Sequence, residues 1–174
     1  MSNNNIYKEF EQVYSYWLDE LAKYSDNQLE FNIDSESWTI GQLYMHLINS
    51  TLNFHLKQVG VCISSSENRK GRKSFKGIYC FIFLKKFPPI KIKVPPSEAY
   101  TPKQPESKAI IVAGFQNVKE EMEKILSKFK NNKNGKTPHP AFSFLNADEW
   151  YKLVLMHWNH HILQKERIDK IMNQ

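Results

Sequence analysis

Apolar residues recur every three or four positions in four stretches of the chain, as one face of an amphipathic α-helix requires. The first stretch runs from Ile6 to Tyr24 and the second covers about residues 39–58. The third runs from Ile111 to Phe129 and the fourth from Trp150 to Ile171. The face positions are Ile6, Phe10, Val13, Trp17, Leu21 and Tyr24; Ile40, Leu43, Leu47, Ile48, Thr51 and Phe54; Ile111, Phe115, Val118, Met122, Ile125 and Phe129; and Trp150, Val154, His157, His161, Gln164, Ile168 and Ile171.

Polar residues that cap helices stand at the start of two of these stretches. Thr39 precedes Gln42 by three positions, which is typical of a capping box. Asn146 is a suitable N-cap for the fourth helix, with Asp148 and Glu149 in its first turn, where negative charge is favourable. We therefore expect the second and fourth helices to begin at these two residues.

Four long amphipathic helices predict an all-α protein, a four-helix bundle formed by a single domain over residues 1–174. Connections 25–38 and 131–145 are short enough to join antiparallel neighbours. The link between helices two and three, about residues 59–105, is too long for a turn and predicts a crossover. Within it, the helical spacing of Phe75, Ile78, Tyr79, Ile82 and Phe83 predicts a short helix that packs these residues on the bundle. The proline-punctuated PPIKIKVPPSEAYTPKQP that follows predicts extended chain.

Composition favours a cytoplasmic location. The start MSNNNIYKEF lacks the apolar segment of a signal peptide. No apolar run approaches the roughly 18–20 residues that span a bilayer. Cys62 and Cys80 lie in no metal or redox spacing, so we expect reduced, buried thiols, with a disulfide between them as the alternative. Catalysis by either cysteine would need a nucleophile motif that the sequence does not contain.

The positive charge of the chain is concentrated in one segment. Residues 57–93 contain ten Lys or Arg against the single acid Glu67, which gives this segment a net charge of +9. The whole chain carries +6, so the remainder carries −3. Aromatic residues interleave these cations, and one hypothesis is a non-catalytic bundle whose basic crossover binds an anionic partner, such as an anionic membrane surface. We do not expect nucleic acid as the partner, because no groove-reading or RNA-binding motif accompanies the segment.

Histidines occupy the middle of the fourth helix, in MHWNHHILQ at 156–164. His157 and His161 are four residues apart and project side by side, whereas His160 points toward the rim. Either they form a hydrogen-bonded core network, or two ring nitrogens converge on one cation with a third ligand from a facing helix. His46, on the inward face of helix two, is the candidate for that third ligand. His55 and His139 are poorer candidates by position.

These features together resemble the DinB-like (DinB/YfiT) superfamily of metal-binding four-helix bundles. His46 in WTIGQLYMHL matches the histidine of its second helix, and His157, His161 and Gln164 match a fourth-helix motif that often reads H-x3-H-R-G-Q. Ile162 and Leu163 replace the Arg-Gly of that motif. The stretch HPAFSFLNADEWYKLVLMHWNHHILQ is further similar to an uncharacterised branch with an HPxF…EW…HxxxH pattern. The resemblance covers essentially the whole chain.

The resemblance implies a bacterial protein in which His46, His157 and His161 hold one divalent metal ion, zinc, nickel or iron. It implies a metal-dependent enzyme that activates a thiol or water for transfer to, or hydrolysis of, a small-molecule substrate. A thiol S-transferase would use a low-molecular-weight thiol such as bacillithiol, and homodimers are common among such bundles. A bundle that keeps the histidines for a structural or binding role alone is the alternative.

Four polar residues are further candidates near the metal. From their position on the two helices, Gln164, Asn49, Asn53 and His160 would orient the ligands or touch substrate, unless they are ordinary polar residues at helix margins. The sequence identifies no catalytic acid or base.

Overall fold

This computed structural model describes residues 2–84, 86–87 and 101–174. Its helices are α1 (Asn3–Lys23), α2 (Asp26–Leu29), α3 (Ile40–Ser50), α4 (Leu56–Ser64), α5 (Phe75–Ile78), α6 (Lys108–Lys128) and α7 (Ala147–Met172). A π-helical turn, Thr51–His55, joins α3 to α4; a π-helical segment, Tyr79–Leu84, continues α5; and a 3-10 turn, Phe129–Asn131, ends α6. Two strands, β1 (Lys136–His139) and β2 (Ser143–Asn146), form a small antiparallel sheet. The prediction of an all-α bundle with a long crossover that carries a short helix is confirmed.

The long helices pack through the predicted apolar faces. Helix α1 contacts α6 and α7, and the continuous helix formed by α3, the π turn and α4 contacts the same two helices. Trp158 lies at the centre of this core, with ring centroids 5.1 Å from Phe10 and 4.8 Å from Phe115. Full burial of each such large side chain contributes roughly 1.5–3 kcal/mol. The core therefore holds the two histidine-bearing helices, α3 and α7, in a fixed relation.

Both predicted caps are present as capping boxes. The Thr39 Oγ1 accepts the Gln42 backbone N–H at 3.0 Å, and the Gln42 Oε1 accepts the Thr39 N–H at 2.9 Å. Asn146 and Glu149 make the same reciprocal pair, at 2.9 and 3.0 Å. Each cap contributes about 1 kcal/mol. These bonds define where the helices carrying the histidines begin.

The π turn corrects the predicted face of the second helix. Periodicity placed Phe54 on the inward face, but the Phe54 side chain is 37% exposed and His55 is buried instead. A π turn inserts one extra residue into the helix, which rotates all that follows relative to an α-helical pattern. Val59 and Cys62 continue the rotated face and are fully buried. The helix also extends to Ser64, beyond the predicted end.

Both short connections contain elements that the sequence pattern did not predict. Residues 25–38 include the short helix α2, which Ser25 caps. Residues 131–145 contain most of the hairpin, in which β1 and β2 pair in the register Lys136 with Asn146 and His139 with Ser143. Strands of four residues are too short to show a clear alternation. The hairpin packs against α4 and α7.

The crossover helix is present, but the prediction of its packing face is wrong. Phe75, Tyr79 and Phe83 are 92%, 55% and 72% exposed. Gly77, Cys80 and Phe81 face the protein instead, and the Phe81 ring packs edge-on against Phe142 of the hairpin. The extended chain predicted after this helix falls largely at 88–100, outside the described residues.

The predicted apolar face at the end of the fourth helix is corrected by an ion-pair network. Lys165 was not predicted to be buried, yet its side chain is only 2% exposed, and its ammonium group pairs with Glu20 of α1 and with Asp169 at 2.6 Å. The Tyr24 hydroxyl donates to Asp169 as well. Ile171, predicted on the apolar face, is 41% exposed. Charge pairing thus replaces apolar packing at this end of the α1–α7 contact.

Cys62 and Cys80 are free, buried thiols, as expected. Burial raises the pKa of both thiols, which disfavours the thiolate that cysteine catalysis would need. Across the described ranges, none of the helices has the length and apolar character that crossing a bilayer demands.

Candidate metal centre

Three histidines from two helices meet inside the bundle. His46 lies on α3 between Leu43 and Leu47, which are fully buried, so the helix directs its imidazole inward. His157 and His161 lie one turn apart on α7, and this spacing places both rings on the same side. The sequence prediction that these three residues converge agrees with their placement.

The imidazole nitrogens themselves are in close contact. The Nε2 atom of His157 lies 3.0 Å from the Nε2 of His46 and 3.0 Å from the Nε2 of His161. One ring nitrogen from each of the three residues falls within 4.8 Å of the others. His161 is buried, and His46 and His157 are partly exposed. The cluster is therefore compact and has a side that faces outward.

Hydrogen bonds at the far side of two rings determine where their protons lie. The Nδ1–H of His161 donates to the Gln164 Oε1 at 2.8 Å. The Ser50 hydroxyl donates to the His46 backbone carbonyl at 2.6 Å, which leaves its oxygen free to accept from the His157 Nδ1 at 3.4 Å. A neutral imidazole with its proton on Nδ1 presents a lone pair at Nε2. These contacts point the lone pairs of His157 and His161 toward the centre of the cluster.

A cation fits this arrangement better than a hydrogen-bonded network does. With the protons of His157 and His161 on Nδ1, their two Nε2 lone pairs face each other at 3.0 Å, so part of the cluster stays unsatisfied without a cation. Zinc–imidazole bonds of about 2.0–2.1 Å place the nitrogens of a tetrahedral site about 3.3 Å apart, close to the spacing observed here. The donor set is also chemically suitable, because neutral imidazole binds zinc, nickel and iron.

Burial keeps these imidazoles neutral. It lowers the pKa of His46 to about 4. Burial, assisted by the neighbouring His46, lowers the pKa of His161 to about 3, and burial together with His161 and His55 lowers the pKa of His157 well below its ordinary value. At neutral pH all three rings therefore retain the lone pairs that a metal ion requires.

Aromatic side chains surround the outward side of the cluster. Trp38, just before α3, packs on His46 with ring centroids 4.7 Å apart. His160 contacts His161 at 5.4 Å, and Phe87 of the crossover contacts His160 at 5.4 Å. The crossover thus reaches the rim of the site, and His160 lies at the rim as the sequence predicted.

His55 is the neighbour of the cluster that sequence reasoning ranked too low. It is 5% exposed, and its ring centroid lies 5.1 Å from that of His157. The His55 Nδ1 is buried and has no hydrogen-bond partner among the residues that the structure describes. The π turn brings His55 inward, and a regular α-helical pattern gives no signal for that rotation. His139 of β1 lies farther out, stacked on Phe142.

The polar candidates from the sequence divide into two groups. Gln164 contacts the cluster through His161, and His160 contacts it through its ring. Asn49 and Asn53 are exposed, and within the described part of the chain no hydrogen bond joins either of them to the three histidines. The residue that takes the expected orienting position on α3 is Ser50, next to Asn49 in the chain.

A family model described as the DinB superfamily matches residues 9–164, most of the chain. No curated protein matches it, and no solved structure does.

The buried histidines predict a loss of stability in mild acid for the metal-free protein. Unfolded histidine has a pKa of about 6.5, whereas burial lowers the pKa of His46 and His139 to about 4 and that of His55 to about 3. As the pH falls below about 6.5, the unfolded chain binds protons that the folded chain excludes, so the free energy of unfolding decreases until the folded pKa values are reached.

Urea unfolding of chelator-treated protein between about pH 7 and pH 5 measures this effect. The urea midpoint should fall across that range, and it should fall less in His55→Gln, which removes one such group outside the three-histidine cluster. A midpoint that stays constant over the range would contradict the prediction.

Proposed function

Because the chain belongs to the DinB superfamily, we propose that His46, His157 and His161 hold one divalent metal ion and that the protein is a metal-dependent enzyme. The single observation that supports this most is the contact of Nε2 atoms at 3.0 Å among neutral imidazoles. Buried polar groups normally have partners, and a cation satisfies all three nitrogens at once.

Three protein ligands leave at least one coordination position open, which is the pattern of catalytic sites, whereas structural sites are closed by four. The partly exposed side of His46 and His157 is where a small molecule has access. When bound, the metal would lower the pKa of a thiol or water that occupies the open position. We therefore propose transfer of a thiol to, or hydrolysis of, a small-molecule substrate.

The residues around the cluster have distinct roles in this proposal. Gln164 and Ser50 orient the rings of His161 and His157 through their Nδ1 atoms. Trp38 and Phe87 limit access of bulk water and offer apolar surface to a substrate. His160, half-buried at the rim beside His161, is a titratable group and the candidate for contact with substrate.

Other parts of the proposal rest on the superfamily rather than on geometry. Zinc, nickel and iron all suit three imidazoles, so occupancy would follow metal availability. We propose a low-molecular-weight thiol such as bacillithiol as co-substrate, a single domain over residues 1–174, a cytoplasmic location in a bacterial cell and assembly as a homodimer. A bundle that retains the histidines only for structure is the competing hypothesis.

Metal content separates these two hypotheses. Purified wild-type protein without an affinity tag should contain about one equivalent of a divalent metal, and His157→Ala should contain almost none, because His157 contacts both other ligands. His139→Ala is the matched control, since it removes a partly buried histidine outside the cluster and should keep the metal. Inductively coupled plasma mass spectrometry measures all three proteins.

If dialysed wild-type protein binds no metal even after zinc or nickel is added, the histidines form a hydrogen-bonded core network and the enzyme proposal fails. Thermal unfolding of each variant confirms that loss of metal does not result from loss of the fold.

Gln164 should contribute to metal affinity without binding the metal. Gln164→Leu removes the acceptor that holds the proton of His161 on Nδ1, so zinc affinity should fall about 10–100-fold. Gln164→Glu keeps an acceptor oxygen and should retain most of the affinity. Competition with a fluorescent zinc chelator measures both. Equal affinity in wild type and Gln164→Leu would show that Gln164 does not orient the ligand.

A further inference from the structure

The crossover helix presents an apolar face to solvent. Residues Phe75–Leu84, formed by α5 and the π-helical segment, place five large apolar side chains at i, i+3, i+4, i+7 and i+8. Their exposed fractions are Phe75 92%, Ile78 36%, Tyr79 55%, Ile82 57% and Phe83 72%. The other side of the helix packs on the protein through Gly77, Cys80 and Phe81. A contiguous exposed face of this kind marks an interaction surface.

Cations flank this helix in the sequence. Between Asn68 and Ser97 the sequence contains nine Lys or Arg and no Asp or Glu. Lys76 within the helix and Lys86 just after it are exposed, as are Lys70 and Arg72 before it. Lys73 differs from these, because it pairs with Glu149 of α7. The segment therefore combines an exposed apolar stripe with exposed cations within the helix and on both sides of it in the chain.

We propose that the helix Phe75–Leu84 lies on anionic lipid membranes, with its apolar side chains in the boundary between headgroups and acyl chains and its lysines at the lipid phosphates. Interfacial helices have this division into an apolar face and a Lys-rich border, and Tyr is favoured at headgroup depth. Attraction of each cation to an anionic leaflet adds to the apolar term.

Charge argues against the other occupants. Two copies of this chain that met through the same face would bring Lys76 and Lys86 of each copy together, and like charges repel. Nucleic acid would bring phosphates against Ile78 and Ile82, which offer no hydrogen-bond donor to replace lost water. An anionic bilayer complements both parts of the surface.

Co-sedimentation of the full-length protein with vesicles tests the proposal. Wild type should bind phosphatidylglycerol vesicles at low salt, bind phosphatidylcholine vesicles at least about tenfold more weakly, and lose affinity as salt rises. Phe75→Ser with Phe83→Ser should reduce binding to phosphatidylglycerol at least about tenfold, because two of the most exposed apolar groups are removed. Both residues are exposed, and the circular-dichroism melting curve should match wild type.

A control variant and a charge-reversal variant distinguish the contributions of the apolar stripe and of the cations. Val61→Ser with Val112→Ser removes apolar residues that are 47% and 46% exposed on α4 and α6, and should leave vesicle binding unchanged. Lys76→Glu with Lys86→Glu should weaken binding to phosphatidylglycerol and leave the weak binding to phosphatidylcholine unaltered.

Three results would overturn the proposal. The first is that wild type fails to bind phosphatidylglycerol vesicles at low salt, or that the Phe75/Phe83 variant binds them equally well. The second is a dimer in light scattering that the same variant abolishes, which would make a second copy the occupant. The third is binding of single-stranded RNA by wild type that the variant abolishes, which would make nucleic acid the partner.

Discussion

The convergence of three imidazole nitrogens inside an apolar bundle is the constraint on which the site depends. Lone pairs that face one another at 3.0 Å are unfavourable unless a proton or a cation lies between them. Burial lowers the pKa of each ring and so disfavours the extra proton that would lie between two lone pairs; the same packing leaves neutral imidazoles that can bind a metal ion. A divalent ion bound by all three nitrogens would remove this unfavourable contact and link α3 to α7.

The rest of the fold maintains that convergence. The capping boxes at Thr39 and Asn146 define the starts of the two ligand-bearing helices. The aromatic core around Trp158 keeps the helices at a fixed separation, and the Trp158 Nε1–H donates to the Thr51 hydroxyl at 2.9 Å. Thr51 begins the π turn that carries His55 inward. Core, turn and histidine cluster are therefore in direct contact.

Regular periodicity made much of this predictable, and departures from it account for the errors. The faces of α1 and α6 and both caps follow from spacing and capping chemistry, and spacing also made His46 the candidate partner of His157 and His161. The burial of His55 in place of Phe54 could not be predicted, because helical periodicity gives no signal for the π turn at Thr51–His55. Lys165 was missed because its burial depends on Glu20 and Asp169, and Glu20 lies on another helix.

The crossover shows a different limit of sequence reasoning. Helical spacing identified the apolar stripe of Phe75–Leu84 correctly, but an apolar stripe does not reveal whether it covers the core or faces outward. Small residues at Gly77 and Cys80 allow the helix to approach the hairpin through its opposite side, where the Gly77 Cα region lies against Phe142. The composition of the segment fits this outward orientation, with cations on both sides of the exposed stripe in the sequence.

X-ray absorption spectroscopy at the metal edge of protein loaded with one equivalent of zinc tests the central claim most directly. The account predicts multiple scattering from three imidazoles, with nitrogen at about 2.0–2.1 Å, and a remaining oxygen or nitrogen scatterer that a small molecule can replace. Sulfur scattering from a cysteine, or a spectrum without the imidazole pattern, would contradict it.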